Sequence, residues 1–332
     1  MHSVGIVGAG KIARVHAANS AGLSDLRIAA VADVEQAHAR SLAELLGCDV
    51  AASVDELLAR ADVEAVLITT PPNTHAELVE ATAAAGKHVF CEKPLAQNVG
   101  DATRAANACE RAGVVLQVGY NRRFDENFRA AREAVQAGRI GRPWILRISS
   151  RDPMPPPPEY LPLSGGLFVD TTSHDFDLAR FLVGAEIVEV TARAATLADP
   201  HAKEIGDVDT CVVTIVFDNE AIGAIDNCRV SAYGYDQRVE VHGSLGLVQA
   251  DNEVSSTVTV ADAHGFHSQP LQHFYLDRYG PAFRRELEAF ARALDGNEPE
   301  VGGRDGVAAV AAAAAAKRAL DERRSVRLEE VE

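Results

Sequence analysis

The chain has 332 residues, with 32 Lys+Arg against 48 Asp+Glu, and a formal net charge of −16. This acidic balance argues against a nucleic-acid backbone or an anionic membrane surface as partner, and the length predicts two hydrophobic cores rather than one. No apolar run reaches the roughly 18 residues of a membrane span, and the cysteines at 48, 91, 109, 211 and 228 form no C-x-x-C pair, so no membrane contact and no thiolate metal site are expected.

The N-terminus enters an apolar strand at residues 3–7 with no basic region or cleavage site, which predicts a cytoplasmic location. The strand ends in Gly8-Ala9-Gly10-Lys11-Ile12-Ala13, a G-x-G-x-x-A turn opening a helix that runs to Gly22. Gly8 permits the tight turn, Gly10 lets backbone approach a diphosphate, Ala13 allows close helix packing, and the helix N-terminus offers free N–H groups to phosphate. A second apolar strand, residues 26–32, delivers Asp33 about twenty residues on, where a carboxylate binds the ribose hydroxyls of a dinucleotide. Asp33 would repel a 2′-phosphate, and no cation follows it, so the cofactor predicted is NAD rather than NADP; Asp33 can cap a helix at the same time.

The alternation continues with a capping box at Ser53–Glu56, a buried strand at 63–69, and a loop Thr70-Pro71-Pro72-Asn73-Thr74-His75 turning into a helix that Thr74 and Glu77 would cap. This loop lies at a strand's carboxyl end, the edge that forms the cofactor crevice, and Thr70, Pro71, Asn73 and His75 are candidate cofactor contacts. His75 fits a capping or packing role equally. The next strand brings Glu92-Lys93-Pro94 to the same edge, and a helix over 98–111 and a strand over 114–118 complete a parallel doubly wound α/β sheet across residues 1–119.

Residues 120–332 read as a second, α+β unit. A helix is expected over 120–137, a strand over 143–150, then a loop in which Pro155–Pro158 enforce an extended path that either walls a substrate entrance or merely connects. From Gly165-Gly166 one amphipathic helix is expected to run to Gly184, with Asp170 and His174 one turn apart on one face. A histidine held there is a candidate general base. Beyond it, strands over 187–197, 210–217, 221–230, 238–243, 247–250 and 257–261 predict a mostly antiparallel open sheet with one face left for a partner subunit, and residues 306–320 form an alanine-rich last helix. His264 and His267 lack a third ligand at metal spacing, so no metal is predicted.

Taken together, the glycine turn, Thr69–His75, Glu92-Lys93-Pro94 and the glycine pair followed by Asp170 and His174 resemble the glucose–fructose oxidoreductase / inositol dehydrogenase / MocA family over nearly the whole chain. The resemblance implies an NAD-dependent enzyme moving hydride from a secondary alcohol of a cyclic polyol or sugar. It places Lys93 and His174 beside the nicotinamide with Asp170 assisting, adds Glu92 to the cofactor contacts, and implies a cis Lys93–Pro94 bond. Within the family the inositol dehydrogenase branch fits best, which puts Asn121, Arg122, Asp177, Tyr233 and Tyr235 on the substrate beside Lys93, Asp170 and His174, and implies a dimer or tetramer. Two departures bear on the substrate: residues 148–152 contain no histidine, and Phe283 stands where a tyrosine is expected. Another sugar dehydrogenase, a glycosidase that retains NAD, and a non-catalytic sugar sensor are the alternatives on this fold.

Overall fold

The first 119 residues alternate as strand and helix: β1 (His2–Val7), α1 (Lys11–Ser20), β2 (Leu26–Ala32), α2 (Gln36–Leu46), β3 (Asp49–Val50), α3 (Val54–Ala59), β4 (Ala65–Ile68), α4 (His75–Ala84), β5 (His88–Glu92), α5 (Val99–Ala112) and β6 (Leu116–Gly119) in a computed structural model that describes residues 1–331. The strands form one parallel six-stranded sheet in the order β3-β2-β1-β4-β5-β6. Helices on both faces explain the apolar runs in β1, β4 and β5, whose residues are almost all buried. The strand order reverses between β1 and β4, so the loops leaving these two strands, Gly8–Gly10 and Thr69–His75, flank the crevice at the sheet's carboxyl edge.

After a 3-10 turn at Asn121–Phe124 come α6 (Glu126–Gln136), β7 (Pro143–Arg151), a π-helical turn at Phe168–Thr172, α7 (Ser173–Val183), β8 (Ile187–Ala195), α8 (Pro200–Glu204), β9 (Thr210–Phe217), β10 (Ile222–Cys228), β11 (Asp236–Gly243), β12 (Gly246–Ala250), the hairpin β13 (Thr259–Asp262) and β14 (Gly265–Ser268), α9 (Tyr275–Arg278), α10 (Gly280–Leu294), α11 (Gly303–Glu322) and β15 (Val326–Arg327). The second sheet has the order β12-β11-β7-β10-β9-β8-β15, antiparallel throughout except for the parallel pair β7–β10. Its inner face, including Ile148, Val190, Val213, Ile215, Ile225 and Val241, is buried. Helices α7 and α11 pack on this sheet, and α11 also touches α5, so the chain's end returns to the first sheet. The alanines of α11 therefore do more than favour helix: Ala309, Ala312, Ala313 and Ala316 are fully buried, and only side chains this small let the backbone fit between the two layers.

Four local expectations change. The helix expected over 120–137 breaks at Asp125, whose carboxylate accepts the backbone N–H groups of Asn127 (3.0 Å) and Phe128 (3.1 Å) and caps a new helix there. Thr74 caps nothing; its hydroxyl is bonded to Thr70 and the Pro71 carbonyl, because a 3-10 turn at Pro72–Thr74 runs directly into α4. The strand expected over 257–261 pairs only with β14, outside the large sheet. The helix expected from Gly165 opens as a π turn, after two glycines at φ +82° and +86°. All five cysteines are free thiols, and no helix among the described residues is long and apolar enough to cross a membrane.

Candidate active site

Each end of the β1–α1 turn is built for close backbone approach. Gly8 has φ +92°, and a Cβ there would lie 2.8 Å from the Thr70 methyl and 2.9 Å from backbone, so no other residue fits. Gly10, by contrast, has nothing within 4 Å of where a Cβ would stand, so the space above it opens on the crevice. Helix α1 has neither a side-chain cap nor an acidic residue in its first turn, which leaves its N–H groups free and its positive end uncancelled. Ala13 is fully buried against the strand and Ile12 packs on the core. The Lys11 ammonium lies 5.2 Å from the Tyr275 ring and 5.7 Å from that of Phe274, linking the turn to α9. Asp33 accepts the Ala9 N–H at 2.6 Å and the Glu35 N–H at 2.7 Å, bracing the turn while keeping lone pairs for a further donor. This donor set fits a dinucleotide diphosphate at the helix end and its ribose hydroxyls at Asp33.

Pro71 and Asn73 stand exposed on the opposite rim of the crevice. His75 does not reach it. Its ring is buried, with Nδ1 2.7 Å from the Pro94 carbonyl and Nε2 2.9 Å from that of Thr70, and burial lowers its pKa. A neutral imidazole has one N–H, so one contact is a hydrogen bond and the other is held by packing; the residue ties the Thr70 loop to the Pro94 loop. Glu92 also turns away, into the protein, where its carboxylate meets His16 Nε2 at 2.6 Å.

The Lys93–Pro94 peptide is cis. Lys93 projects from the end of β5 toward the second sheet's helices, and its ammonium donates to the Asp170 carbonyl oxygen at 2.9 Å and to Asp170 Oδ1 at 3.3 Å. Asp170 Oδ1 also accepts the Tyr160 hydroxyl at 3.0 Å, and Oδ2 faces the fully buried Arg229 at 3.6 Å. Arg229 is held in turn by Asp207 at 2.9 Å. Asp170 is thus shared by a lysine, a tyrosine and an arginine, and it makes no bond to His174. The π turn is the reason: its wider winding breaks the alignment that an α-helix imposes on residues four apart.

His174 sits at the start of α7 with its ring edge-on to Tyr120, centroids 5.7 Å apart, and its Nδ1 is sealed off without a partner. Burial first, then the charges of Lys93 and Arg122, hold its pKa well below the usual imidazole range, even though the residue keeps some solvent exposure, so the ring is neutral near pH 7. Asp152, at the end of β7, is the opposite case. Burial pushes its carboxyl up to about 6 against the pull of Arg122, with the Asp170 charge adding to the rise and Arg229 and Lys93 opposing it. It too retains partial exposure.

Of the residues expected on a substrate, Asn121 is buried and makes no side-chain hydrogen bond among the described residues. Tyr235 is buried edge-on to Phe274 and Tyr279, and the charges of Arg122 and Asp152 reach its hydroxyl. The others are already committed. Arg122 is locked to Asp175 at 2.5 Å and Ser150 at 2.9 Å. Asp177 is buried in a two-pronged pair with Arg123, at 2.6 and 2.8 Å, and Arg123 also reaches Asp305. These two arginine–aspartate pairs bolt the Asn121–Phe124 turn to α7, where Asp177 is 1% exposed. Tyr233 is half exposed, with its hydroxyl tied to Asp236 at 2.6 Å and Arg151 at 2.7 Å. Phe283 packs in the core beside His16 and Tyr275.

Three residues of the cluster escaped the sequence reading: Tyr160, Arg229 and Asp152. Tyr160 follows the proline run, and its bond to Asp170 makes that loop a wall of the site. Arg229 ends an otherwise alternating strand segment, where a fully buried arginine can be noticed only once its two aspartate partners are known.

Residues 2–120 match the family model described as the oxidoreductase family, NAD-binding Rossmann fold, and residues 128–249 match the GFO/IDH/MocA C-terminal domain. The chain is 45% identical over 330 residues to the myo-inositol 2-dehydrogenase of Thermotoga maritima, covering 99% of both chains. It is 43% identical to an inositol 2-dehydrogenase of Rhizobium meliloti, covering 97% of this chain and 98% of the other. Among solved structures, the scyllo-inositol dehydrogenase from Lactobacillus casei with bound NAD(H) and scyllo-inositol superposes with a TM-score of 0.91 at 27% identity, covering 99% of each chain. The chain therefore belongs to the GFO/IDH/MocA family of NAD-binding oxidoreductases.

Proposed function

We propose that the protein is an NAD-dependent dehydrogenase that oxidises a secondary alcohol of a cyclic polyol, with an inositol as the leading substrate. The observation that carries this reading is the meeting of Lys93, just past the carboxyl end of β5 in the cofactor sheet, with Asp170 and the neutral His174 from the second sheet's helices. Full-length likeness to relatives named as inositol 2-dehydrogenases supports the substrate class.

Bound NAD supplies the hydride acceptor. The chain's own residues must then hold the alcohol and take its proton. His174 is the proposed base: neutral at pH 7, it can accept the hydroxyl proton without first losing one of its own. The Lys93 ammonium has three N–H donors, two of which point at Asp170; the third is free to hydrogen-bond the reacting oxygen and steady its developing negative charge. Asp170 orients Lys93 rather than His174, with Tyr160 and Arg229 fixing its carboxylate. Asn121 and Tyr235 are the proposed hydroxyl-binding groups of the pocket, and Asp152 a further one. Thr70, Pro71 and Asn73 line the cofactor's rim, with Gly8, Gly10, Lys11, Ile12, Ala13 and Asp33 opposite them.

The outer face of the second sheet supports a homo-oligomer. Val212, Ile222 and Leu247 are exposed there, and Ile145 and Val216 lie beside Ile222 on the adjoining strands.

A spectrophotometric assay with NAD or NADP and a panel of myo-inositol, scyllo-inositol, glucose and xylose tests the reading. NAD reduction with an inositol is the expected result. Turnover of a glycoside without net reduced nicotinamide would replace it with the glycosidase alternative.

A further inference from the structure

Directly before Lys93 in the chain, Glu92 joins two other ionisable side chains from different elements in the interior. His16 comes from α1, Glu92 from the last position of β5, and Glu286 from the middle of α10; their relative exposures are 1%, 7% and 0%. One ligand-capable atom from each lies within 4.8 Å of the other two. His16 Nε2 is 2.6 Å from Glu92 Oε1 and 4.0 Å from Glu286 Oε1. Phe90 and Phe283 cover the imidazole edge-on at 5.1 and 5.7 Å. Both Glu286 oxygens, His16 Nδ1 and the neighbouring Gln117 Oε1 are buried without a hydrogen-bond partner.

Unsatisfied buried polar atoms cost stability, so a cluster this incomplete calls for a reason outside folding. Two carboxylates cannot both stay ionised so close together in a dry interior, and the less exposed one takes the proton. Burial, with the Glu92 charge second, raises the Glu286 pKa well above the usual carboxyl range. The 2.6 Å separation of His16 and Glu92 is a hydrogen-bond length, whereas ligands around a zinc-sized ion stand more than about 3 Å apart, so the cluster is built for a proton rather than a metal. Its link to the active site is covalent. Glu92 Oε2 accepts the Lys93 backbone N–H at 3.3 Å, and room for that carboxylate is made by Gly119 on β6, where a Cβ would lie 3.2 Å from Oε2.

We propose that His16 and Glu286 are positioning residues for Lys93: the His16–Glu92 bond seats the strand end from which Lys93 projects, and a proton on Glu286 keeps Glu286 from competing for His16. The role rests on the dehydrogenase reading above. When Glu286 ionises as pH rises, it draws on the same imidazole N–H, and the Lys93 seat loosens. The Glu92 charge also reaches Cys91 beside it on β5, His75 from α4, Tyr160 from the proline loop and Tyr275 from α9. Gln117 from β6 meets α10 through its bond to the Glu286 carbonyl, at 2.8 Å.

The test is steady-state kinetics and thermal melting of the full chain across pH 5–10. His16→Phe should lower kcat for inositol oxidation about tenfold with KM for NAD held within about twofold, and His16→Gln, which keeps a donor, should recover part of the loss. Glu286→Gln should move the alkaline limb of kcat to higher pH. It should also raise Tm more at pH 9 than at pH 5, since a buried carboxyl with a raised pKa withdraws stability as pH climbs. Unchanged kcat and pH profile in His16→Phe would overturn the proposal, and so would a Glu286→Gln variant with the wild-type alkaline limb. Stoichiometric metal in the purified protein, with Tm lowered by a chelator, would overturn it in favour of a cation site. A wild-type chain that reduces no NAD with any inositol would instead defeat the dehydrogenase reading, while the Tm comparison would still report the Glu286 proton.

Discussion

At the level of single residues, the site separates groups that are free to act from groups that are already spent. Lys93→Ala and His174→Ala should each lower kcat by roughly 10²–10⁴ while NAD affinity, measured by fluorescence titration, stays within a few fold. Because the His174 pKa is lowered, its neutral form persists below the usual imidazole range, so the limb of kcat/KM due to this base should fall on the acid side of pH 6.5. The Asp152 carboxyl, pushed up to about 6, titrates near that region, and Asp152→Asn should remove one inflection there without abolishing turnover. A kcat/KM profile with its base-dependent limb centred above pH 7 would remove His174 from the role. Asp33 controls the cofactor: Asp33→Ser should raise the NADP-to-NAD ratio of kcat/KM at least about tenfold by deleting the charge that repels a 2′-phosphate. It should also weaken NAD itself, since the same carboxylate braces Ala9.

Among the elements, those with strong local signals were readable from sequence and those defined by partners were not. The βα repeat, the G-x-G-x-x-A turn, the Ser53 cap and the Gly184 stop are written in short-range chemistry, and the structure carries each of them. The π turn at Phe168–Thr172 has no such signature, so spacing alone suggested an Asp170–His174 pair that the backbone does not make. Asp177 has a pairing that spacing does not show. An aspartate on the face of a catalytic helix looks available until its arginine, 54 residues away in sequence, is known. Helix α10 went unread although Phe283, Leu287, Phe290 and Leu294 mark an amphipathic face, and with it the partner of His16 and Glu92 was missed.

Two substitutions test this element-level account. Asp177→Ala strands Arg123 in the interior and should cost about 3 kcal/mol of stability, seen as a lower Tm, whereas a substrate-binding aspartate would change KM and leave Tm alone. In the glycine turn, Gly8→Ala should lose about 2 kcal/mol or more, because the new Cβ meets backbone at 2.9 Å and the residue is held at φ +92°. Gly10→Ala should melt like the wild type and bind NAD worse, since its methyl would project only into the crevice. Equal Tm losses in the two glycine variants would contradict this division of labour.

For the molecule as a whole, the two sheets share one apolar core through α11, and the second sheet has one face packed and one bare. On the bare face, Val212, Ile222 and Leu247 are 54%, 52% and 48% exposed, on the inner strands β9 and β10 and the edge strand β12. Direct cross-strand partners share a face, so Ile222 lies between Ile145 and Val216 and the apolar side chains form one surface across β7, β10 and β9. A formal net charge of −16 makes each copy repel another at long range, so the association proposed for this apolar face should strengthen as salt screens the charge. Light scattering on the purified chain should give a mass that is an even multiple of the 35.3 kDa protomer. Ile222→Lys should shift that mass toward the protomer, more so at low salt, because it buries a charge at the centre of the contact. The wild type remaining a protomer at micromolar concentration and high salt would show that this face meets no second copy.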